Sequence, residues 1–283
     1  VIGQVDYDNY GISGVEKYFD RLQYKYFKYK EIKLLKNADH IVLLTNKVKD
    51  EICRIPETNY DKLTVIPCCA DFNHFTLQTE SKKLSSRKIL GIPNNSLVFG
   101  FLGSVGPMYL LDDYFKFIEL IYKRYALIDI DVFGLLITND LNAANLAKRR
   151  IVDENLNQNI IVLSTSRSQV PELLHSLDVL ISFISSTYAR QASSPTKIAE
   201  SFACGIPIIS NQGVGDVEDH INDINGGKII SNTLQETLEK MLPSLDEIVA
   251  LDREKIRNKA KEFLSLDIAL QRYKDVYSKI HSI

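Results

Sequence analysis

The sequence lacks the features that mark several classes of protein. Its 283 residues contain only four cysteines, at positions 53, 68, 69 and 204, and no CxxC pair. That spacing suits neither a disulfide framework nor a zinc site, and it favours a reducing compartment. The five histidines are scattered and form no HExxH motif. We therefore expect a protein of the cytoplasm whose stability does not depend on disulfides.

The sequence also has no large excess of charge of one sign and no long apolar run. The 34 basic and 36 acidic residues give a formal net charge of −2, which argues against a nucleic-acid partner attracted by net charge. The longest apolar runs, such as residues 132–137, are much shorter than the roughly 20 residues that span a bilayer. Hydrophobic residues still make up 45% of the chain. This content is enough to build a large core.

Short apolar runs alternate with amphipathic helical patterns, for example over residues 112–125 and 168–177. Most of the runs are rich in β-branched residues and lack polar alternation, as strands buried on both faces of a parallel sheet do. They lie at residues 41–44, 63–66, 97–102, 128–136, 160–163, 179–183, 206–210 and 228–230. Repeated strand–helix units predict an α/β fold with a doubly wound, Rossmann-like parallel sheet.

Two helical segments flank this series. A predicted helix at residues 14–37 interleaves aromatic and basic side chains between Tyr24 and Lys30. This pattern suits a membrane surface, although we favour a partly solvated helix whose aromatic side chains pack on one side. From Thr233 to the end the chain is predicted to be helical.

Three segments directly follow predicted strands, and ligands bind at that edge of a parallel sheet. The first carries Gly103, Ser104 and Gly106 before a helix that begins near Leu111. Its glycines let the backbone approach a ligand, and the helix N-terminus favours phosphate. The glycine spacing is neither GxGxxG nor a P-loop, so a plain strand–helix turn is an equal alternative.

The second segment, residues 190–210, is the most informative. Pro195 predicts the first position of a short helix, and Gly205 predicts its end. Hydroxyl and lysine side chains near the helix start suit an anionic phosphate, and they belong to Ser193, Ser194, Thr196 and Lys197. Glu200, about one turn further along, could accept two hydrogen bonds from a diol such as a ribose. The alternative is an ordinary capped helix with a surface Lys–Glu pair.

The third segment holds Gly213, Gly215 and Asp216. It predicts a flexible, exposed turn at the ligand-binding edge, or equally a simple strand–helix loop. By contrast, the Asp129-Ile130-Asp131 motif lies at the start of a predicted strand, on the opposite edge. Its carboxylates are therefore not expected to converge on a metal ion.

Several segments together resemble the group 1 (family 4) glycosyltransferases of the GT-B fold. Residues 36–46 are similar to the end of that family's first domain, and residues 65–75 to its interdomain segment. Residues 100–111 resemble the opening of the nucleotide-binding domain, and residues 194–207 (SPTKIAESFACGIP) its donor signature. Residues 263–277 resemble the C-terminal helix that crosses back to the first domain.

The resemblance implies a retaining, metal-independent enzyme without a cofactor. It would move a hexosyl-type sugar from a nucleotide-sugar donor to a glycan or lipid-linked acceptor, as in polysaccharide biosynthesis. Neutralising the leaving diphosphate would supply much of the catalysis. The family setting also implies peripheral contact with the inner face of a membrane through the upstream domain.

The resemblance assigns roles to individual residues. Glu200 would hold the ribose, and Ser194, Thr196 and Lys197 would lie near the diphosphate or sugar. Gly103 and Gly106 would let the diphosphate approach the backbone.

The chain departs from the family pattern in two places. Ala192 stands where the family usually has a first carboxylate, eight positions before Glu200. Ser104 and Tyr109 stand where many members have Arg and Lys, which leaves Lys197 and Arg190 to carry the phosphate charge.

The resemblance also predicts three parts. Residues 1–70 would end an acceptor domain, residues 71–231 would bind the nucleotide sugar, and residues 232–283 would be C-terminal helices, the last of which packs on the acceptor domain. We expect the rest of the acceptor domain, with the catalytic residues, to precede Val1. A GT-B-like sugar-nucleotide 2-epimerase and a non-catalytic nucleotide-binding module remain as alternatives.

Overall fold

The computed structural model describes residues 14–56 and 58–281, with side chains from Leu22 onwards. Residues 1–13 of the first predicted part and the last two residues lie outside this description. The described residues form eight strands: β1 Ile41–Leu43, β2 Leu63–Val65, β3 Leu97–Leu102, β4 Val132–Ile137, β5 Ile160–Leu163, β6 Val179–Ser182, β7 Ile208–Asn211 and β8 Gly227–Ile230.

Thirteen α-helices accompany the strands in the described part of the chain. They are α1 Gly14–Asn37, α2 Asn46–Cys53, α3 Glu80–Leu90, α4 Leu111–Ala126, α5 Leu141–Lys148, α6 Glu154–Gln158, α7 Val170–Leu174, α8 Thr196–Ala203, α9 Val217–Ile224, α10 Gln235–Met241, α11 Leu245–Val249, α12 Arg253–Leu264 and α13 Leu266–His281. Short 3-10 turns occur at residues 60–62, 167–169, 188–192 and 242–244.

Six strands form one parallel sheet in the order β5-β4-β3-β6-β7-β8, and β1 and β2 form a separate parallel pair. The predicted α/β fold with a parallel sheet is therefore confirmed. From β3 the chain first builds outward through β4 and β5, then returns to place β6 on the other side of β3. This reversal opens a crevice at the carboxyl ends of β3 and β6, where ligands of open α/β sheets bind.

Two predicted elements differ from the observed ones by more than two residues at one end. The predicted strand at residues 128–136 begins only at Val132, because the chain first closes α4 and then turns through Asp129, whose φ is +56°. The predicted helix at residues 168–177 is shortened to α7, preceded by a 3-10 turn at residues 167–169. Turn geometry at the element ends causes both differences.

The core lies on both faces of the large sheet. One apolar cluster packs α8, α9 and α12 against one face, with Phe202 and Ile256 fully buried. A second cluster packs α4, α10 and α11 against the other face, with Phe117 and Leu245 fully buried. A third, smaller cluster joins α2 to β1 and β2. Layers on both faces explain why the strands lack polar alternation.

The C-terminal helix returns to the strand pair. Ala70 and Ser265 form an isolated parallel bridge, and the Arg272 guanidinium donates to the Val65 carbonyl oxygen at 3.4 Å. The contact places α13 beside β2. The division into three parts stays a prediction.

Helix α1 is solvated, and its aromatic side chains contact one another. Tyr26, Phe27 and Tyr29 are exposed, and the Tyr26 and Phe27 rings meet edge to face at 5.6 Å. Among the described residues, every helix is too short or too polar to cross a bilayer.

A buried ion pair ties α3 to the sheet. Arg87 and Asp178 are both almost fully buried, and Arg87 Nη2 lies 2.6 Å from Asp178 Oδ2. The same guanidinium also donates to three carbonyl oxygens in the loops that precede β3 and β6. Asp178 additionally accepts from Lys83 Nζ and from the Val98 N–H. The amino end of the sheet is thus held by charged groups whose hydrogen bonds are satisfied.

We predict that Arg87→Met lowers the free energy of unfolding by about 3–5 kcal/mol, because it leaves Asp178 buried with less compensation. Urea denaturation followed by circular dichroism measures this loss. Lys88→Met, at an exposed neighbouring position, is the matched control and should change stability little. Equal losses in the two variants would contradict the account.

Candidate functional site

A cavity of about 530 Å³ opens at the carboxyl ends of β3, β4 and β5 and at the start of α8. The loop after β3 contributes Gly103, Ser104 and Tyr109, and α8 contributes Thr196, Lys197 and Glu200. Two separate predicted segments therefore meet in one place, at the edge where parallel sheets bind ligands.

The loop after β3 brings its backbone close to the start of α8. Gly103 has a φ of +128°, a backbone conformation that residues with side chains rarely adopt. A Cβ atom added there would lie 4.0 Å from Lys197 Nζ. The Val105 N–H donates to Asp140 Oδ2 at 2.7 Å and so holds the loop against the end of β4. This geometry leaves room for a ligand against the glycine backbone.

Lys197 is a buried cation without a hydrogen-bond partner. Its side chain is 7% exposed, and Nζ meets no hydrogen-bond acceptor among the described residues. Nζ lies 5.2 Å from the centre of the Phe101 ring and 4.7 Å from that of Tyr109, so aromatic faces offset part of its charge. Burial lowers the pKa of the ammonium to about 7. An anionic ligand would supply the missing partner.

Glu200 faces the same cavity from the next turn of α8. It is 5% exposed, and Arg167 Nη2 lies 2.9 Å from its Oε1. Burial raises the pKa of the carboxyl, and the nearby Arg167 guanidinium counteracts that shift. The interpretation of Lys197 and Glu200 as a surface pair is wrong, because both side chains are buried and Glu200 pairs with Arg167 instead.

The carboxyl end of α8 is firmly anchored. Gly205 has a φ of +75°, and a Cβ atom there would lie 2.5 Å from the Arg253 carbonyl oxygen. The Arg257 guanidinium donates to the Ala203 carbonyl oxygen and to two carbonyl oxygens of residues 72–75. Gly205 ends the helix as predicted. Pro195 is its N-cap, one position earlier than predicted.

Other predicted site residues lie outside the lining of this cavity. They are Gly106, Arg190, Ser194, Gly213, Gly215 and Asp216. Three of them join the loop before α8 to its surroundings: Ser194 Oγ accepts from the Cys68 N–H at 3.0 Å, and the Gly215 N–H donates to the Arg190 carbonyl oxygen at 2.8 Å. Their predicted ligand contacts stay predictions.

Asp216 caps the start of α2 rather than facing the cavity. Its carboxylate accepts from the Asn46 N–H at 2.6 Å and from the Lys47 N–H at 3.2 Å. Thr45 Oγ1 donates to the Gln191 carbonyl oxygen at 2.6 Å. Ala192 belongs to the same junction and packs against the small cluster around β1 and β2. Residues 190–192 and 213–216 thus connect the strand pair to the large sheet.

The part of the cavity that follows β4 and β5 was not predicted from the sequence. Thr138, Asn139 and Asp140 lie at the end of β4, and Thr165 and Arg167 follow β5. All five directly follow predicted strands, so the rule that selected the other segments could have found them. Among the described residues, histidine, cysteine and acidic side chains do not gather into a group that could hold a metal.

Solved structures define the class of fold. A glycosyltransferase from Rickettsia africae is 19% identical in sequence with a TM-score of 0.69. The match covers 88% of this chain and 66% of the Rickettsia chain. Anabaena HepE, in complex with UDP and glucose, is 14% identical in sequence with a TM-score of 0.67. The match covers 87% of this chain and 64% of the HepE chain. WaaG, a glycosyltransferase involved in lipopolysaccharide biosynthesis, is 16% identical in sequence with a TM-score of 0.69. The match covers 94% of this chain and 72% of the WaaG chain. The protein therefore has the fold of GT-B glycosyltransferases.

The family follows from the sequence. Residues 82–263, more than half of the chain, match the model of the family described as glycosyl transferases group 1. The chain belongs to this family. It spans about two thirds of the length of the solved structures above. No curated protein sequence matches it.

The buried Lys197 ammonium predicts a pH dependence of stability. Its pKa is about 7 in the folded chain, against an ordinary value of 10.5, so the unfolded chain binds more protons between those values. The free energy of unfolding should then rise with pH across this window, by up to about 1.4 kcal/mol per pH unit. Comparison with Lys197→Met by urea denaturation isolates the effect. A difference between the two proteins that stays constant from pH 7 to 10 would contradict it.

The Asp216 cap predicts local protection of the start of α2. Asp216→Ala should speed amide hydrogen exchange at Asn46 and Lys47 by about 10- to 100-fold, because hydrogen bonds to a charged group are lost. Exchange in β3 and β6 should not change. Asp219→Ala, at an exposed position of α9, is the control. Unchanged exchange at Asn46 in the Asp216 variant would show that the cap does not hold this helix.

Proposed function

We propose that the cavity binds the nucleotide-sugar donor of a retaining, metal-independent glycosyltransferase of family 4, in the subgroup with the SPTK and ACG signature. One observation carries this proposal: α8 directs a buried, unpartnered ammonium and a buried carboxylate into the same cavity. A nucleoside diphosphate has the complementary groups, a diphosphate for the cation and a ribose diol for the carboxylate.

Lys197 would bind the diphosphate. The ammonium has lost its water to burial, and Phe101 and Tyr109 compensate for only part of that loss, so a phosphate oxygen would restore a full charge-assisted hydrogen bond. The backbone at Gly103 and the nearby Ser104 would lie beside the same phosphates. As the bond between the sugar and the diphosphate breaks, charge grows on the leaving group, and a preorganised cation lowers the barrier.

Glu200 would hold the ribose. Its carboxylate lies one turn beyond Lys197 on α8, so the sugar would extend from the diphosphate toward β5. Thr196, at the start of the helix, also lines the cavity. Arg190 and Ser194 lie in the loop before α8, outside the lining of the cavity. For Arg190 to help neutralise the diphosphate, and for Ser194 to lie near the diphosphate or sugar, the ligand must extend toward the strand pair.

An acceptor, a donor sugar and a cellular setting can also be proposed. We propose a glycan or lipid-linked acceptor, a hexosyl-type donor and a role in polysaccharide biosynthesis in the cytoplasm, at the inner face of a membrane. WaaG, which acts in lipopolysaccharide biosynthesis, supports this setting by analogy of fold. No residue of this chain is assigned as a catalytic base or nucleophile.

A non-catalytic nucleotide-binding module is the second candidate. Ala192 packs in an apolar cluster where the family usually has a carboxylate, and Ser104 and Tyr109 replace two usual cations. The cavity would then bind a nucleotide without transferring its sugar. A sugar-nucleotide 2-epimerase is a further alternative, which the same turnover test separates.

We predict that one nucleoside diphosphate raises the melting temperature in a panel of UDP, GDP, ADP and CMP. A ligand at 100 times its Kd stabilises the fold by about 2.7 kcal/mol. Glu200→Gln should weaken this binding about tenfold or more, since a charged acceptor is lost. Glu262→Gln, at an exposed position of α12, should bind like the wild type. A panel without any shift would overturn the donor-site assignment.

Turnover separates the candidate functions. Incubation with the matching sugar nucleotide should release free nucleoside diphosphate if the protein transfers or hydrolyses the sugar. An epimerised donor would indicate the 2-epimerase. Tight binding without any product would favour the non-catalytic module.

A further inference from the structure

Arg167 contacts the carboxylate to which the proposed function assigns the ribose. Its Nη2 atom lies 2.9 Å from Glu200 Oε1, while the arginine side chain is 72% exposed and that of the glutamate is 6% exposed. The buried partner therefore has little access to water, whereas the exposed partner reaches it from the rim of the cavity. The contact lies at the mouth of the site and not in the core.

The main chain that carries Arg167 is held in place. The Thr165 and Ser166 hydroxyls both donate to Gln169 Oε1, at 3.1 Å and 3.0 Å. The Arg167 carbonyl oxygen lies 3.4 Å from His74 Nε2. The hydroxyl contacts close the 3-10 turn on itself, so the guanidinium starts from a fixed point at the end of β5.

Arg167 is the cation that neutralises Glu200 within the described part of the chain. Lys197 lies on the same helix, but its Nζ has no hydrogen-bond partner among the described residues and does not pair with Glu200. His74 is the other titratable group that influences the carboxyl, and the carboxylate in turn raises the pKa of the Cys204 thiol. Tyr109 and Asp140 line the same cavity. Without Arg167, burial would favour the neutral acid.

The protonation state of Glu200 decides what it offers to a diol. An ionised carboxylate accepts hydrogen bonds at both oxygens, whereas a neutral acid carries an O–H donor at one of them. A ribose presents two hydroxyl groups that donate side by side, which matches the ionised form. The Arg167 contact is close but poorly aligned as a hydrogen bond, since Oε1 has no partner of good geometry. The oxygen thus retains the capacity to accept from a ligand.

We propose that Arg167 is a positioning residue of the donor site, whose guanidinium holds the Glu200 carboxylate charged and oriented for the two hydroxyls of a ribose. This inference rests on the proposed function and adds a specificity to it. The site should prefer ribonucleotides over 2′-deoxyribonucleotides, and this preference should depend on a side chain that need not touch the nucleotide. Arg167 lies outside the segments that resemble the family signature.

The test compares Arg167→Met, Arg167→Lys and the wild-type chain by calorimetry. The probes are UDP, GDP and ADP, each with its 2′-deoxy counterpart, titrated from pH 5 to 8.5. The wild type should prefer the ribonucleotide about 10- to 100-fold, the range for a hydrogen bond to a charged group. Arg167→Met should lose part of this preference at the acidic end of the range and regain it as the pH rises. Arg167→Lys should restore it, and Arg149→Met, at another exposed arginine, should not alter it.

A titration of the Glu200 carboxyl by carbon NMR tests the contact without a ligand. Its pKa should be higher in Arg167→Met than in the wild type and should return toward the wild-type value in Arg167→Lys. Because Arg167 offsets part of the burial cost of the Glu200 carboxylate, the methionine variant should also melt somewhat lower at neutral pH, and this difference should shrink as the pH falls. An unchanged pKa in the methionine variant would overturn the inference.

The calorimetric outcomes separate this inference from the proposed function. If the wild type prefers ribonucleotides and Arg167→Met keeps that preference at every pH, the inference fails and the proposed function stands. Equal weakening of both nucleotides, with an unchanged pH profile, would mean that Arg167 binds the nucleotide directly, which also overturns the inference. If the wild type binds none of the nucleotides, both proposals fail.

Discussion

The packing of α8 against α12 is the constraint on which the site depends. The Arg257 guanidinium reaches from α12 to the carbonyl oxygens at the end of α8 and of residues 72–75. Gly205 allows this approach, because any side chain there would collide with the backbone of Arg253. With one end of the helix fixed in this way, its first turns present Lys197 and Glu200 to the cavity.

Burial gives both charged residues their chemical character. Removing Lys197 and Glu200 from water disfavours their charged forms, which costs stability in the free protein. Aromatic rings offset part of this cost for the ammonium, and Arg167 offsets part of it for the carboxylate. A nucleoside diphosphate would satisfy both groups together. A preorganised binding site holds such charged groups with few partners in the free protein and gives them good partners in the complex.

Sequence patterns predicted the sheet well and the site only in part. The apolar runs at residues 97–102 and 160–163 match β3 and β5, because buried parallel strands leave a strong apolar pattern in the sequence. Lys197 and Glu200 were found because a helix start follows a strand. The role of Asp216 at α2 and the pairing of Arg167 with Glu200 depend on contacts between distant segments, which local patterns do not encode. Helix signals also could not show that Lys197 and Glu200 are buried.

A crystal structure of the chain with the nucleoside diphosphate that binds it would test the central claim most directly. The account predicts phosphate oxygens within hydrogen-bond distance of Lys197 Nζ and beside Gly103, with both ribose hydroxyls on the Glu200 carboxylate. A nucleotide bound elsewhere, or bound in this cavity with its ribose turned away from Glu200, would contradict it.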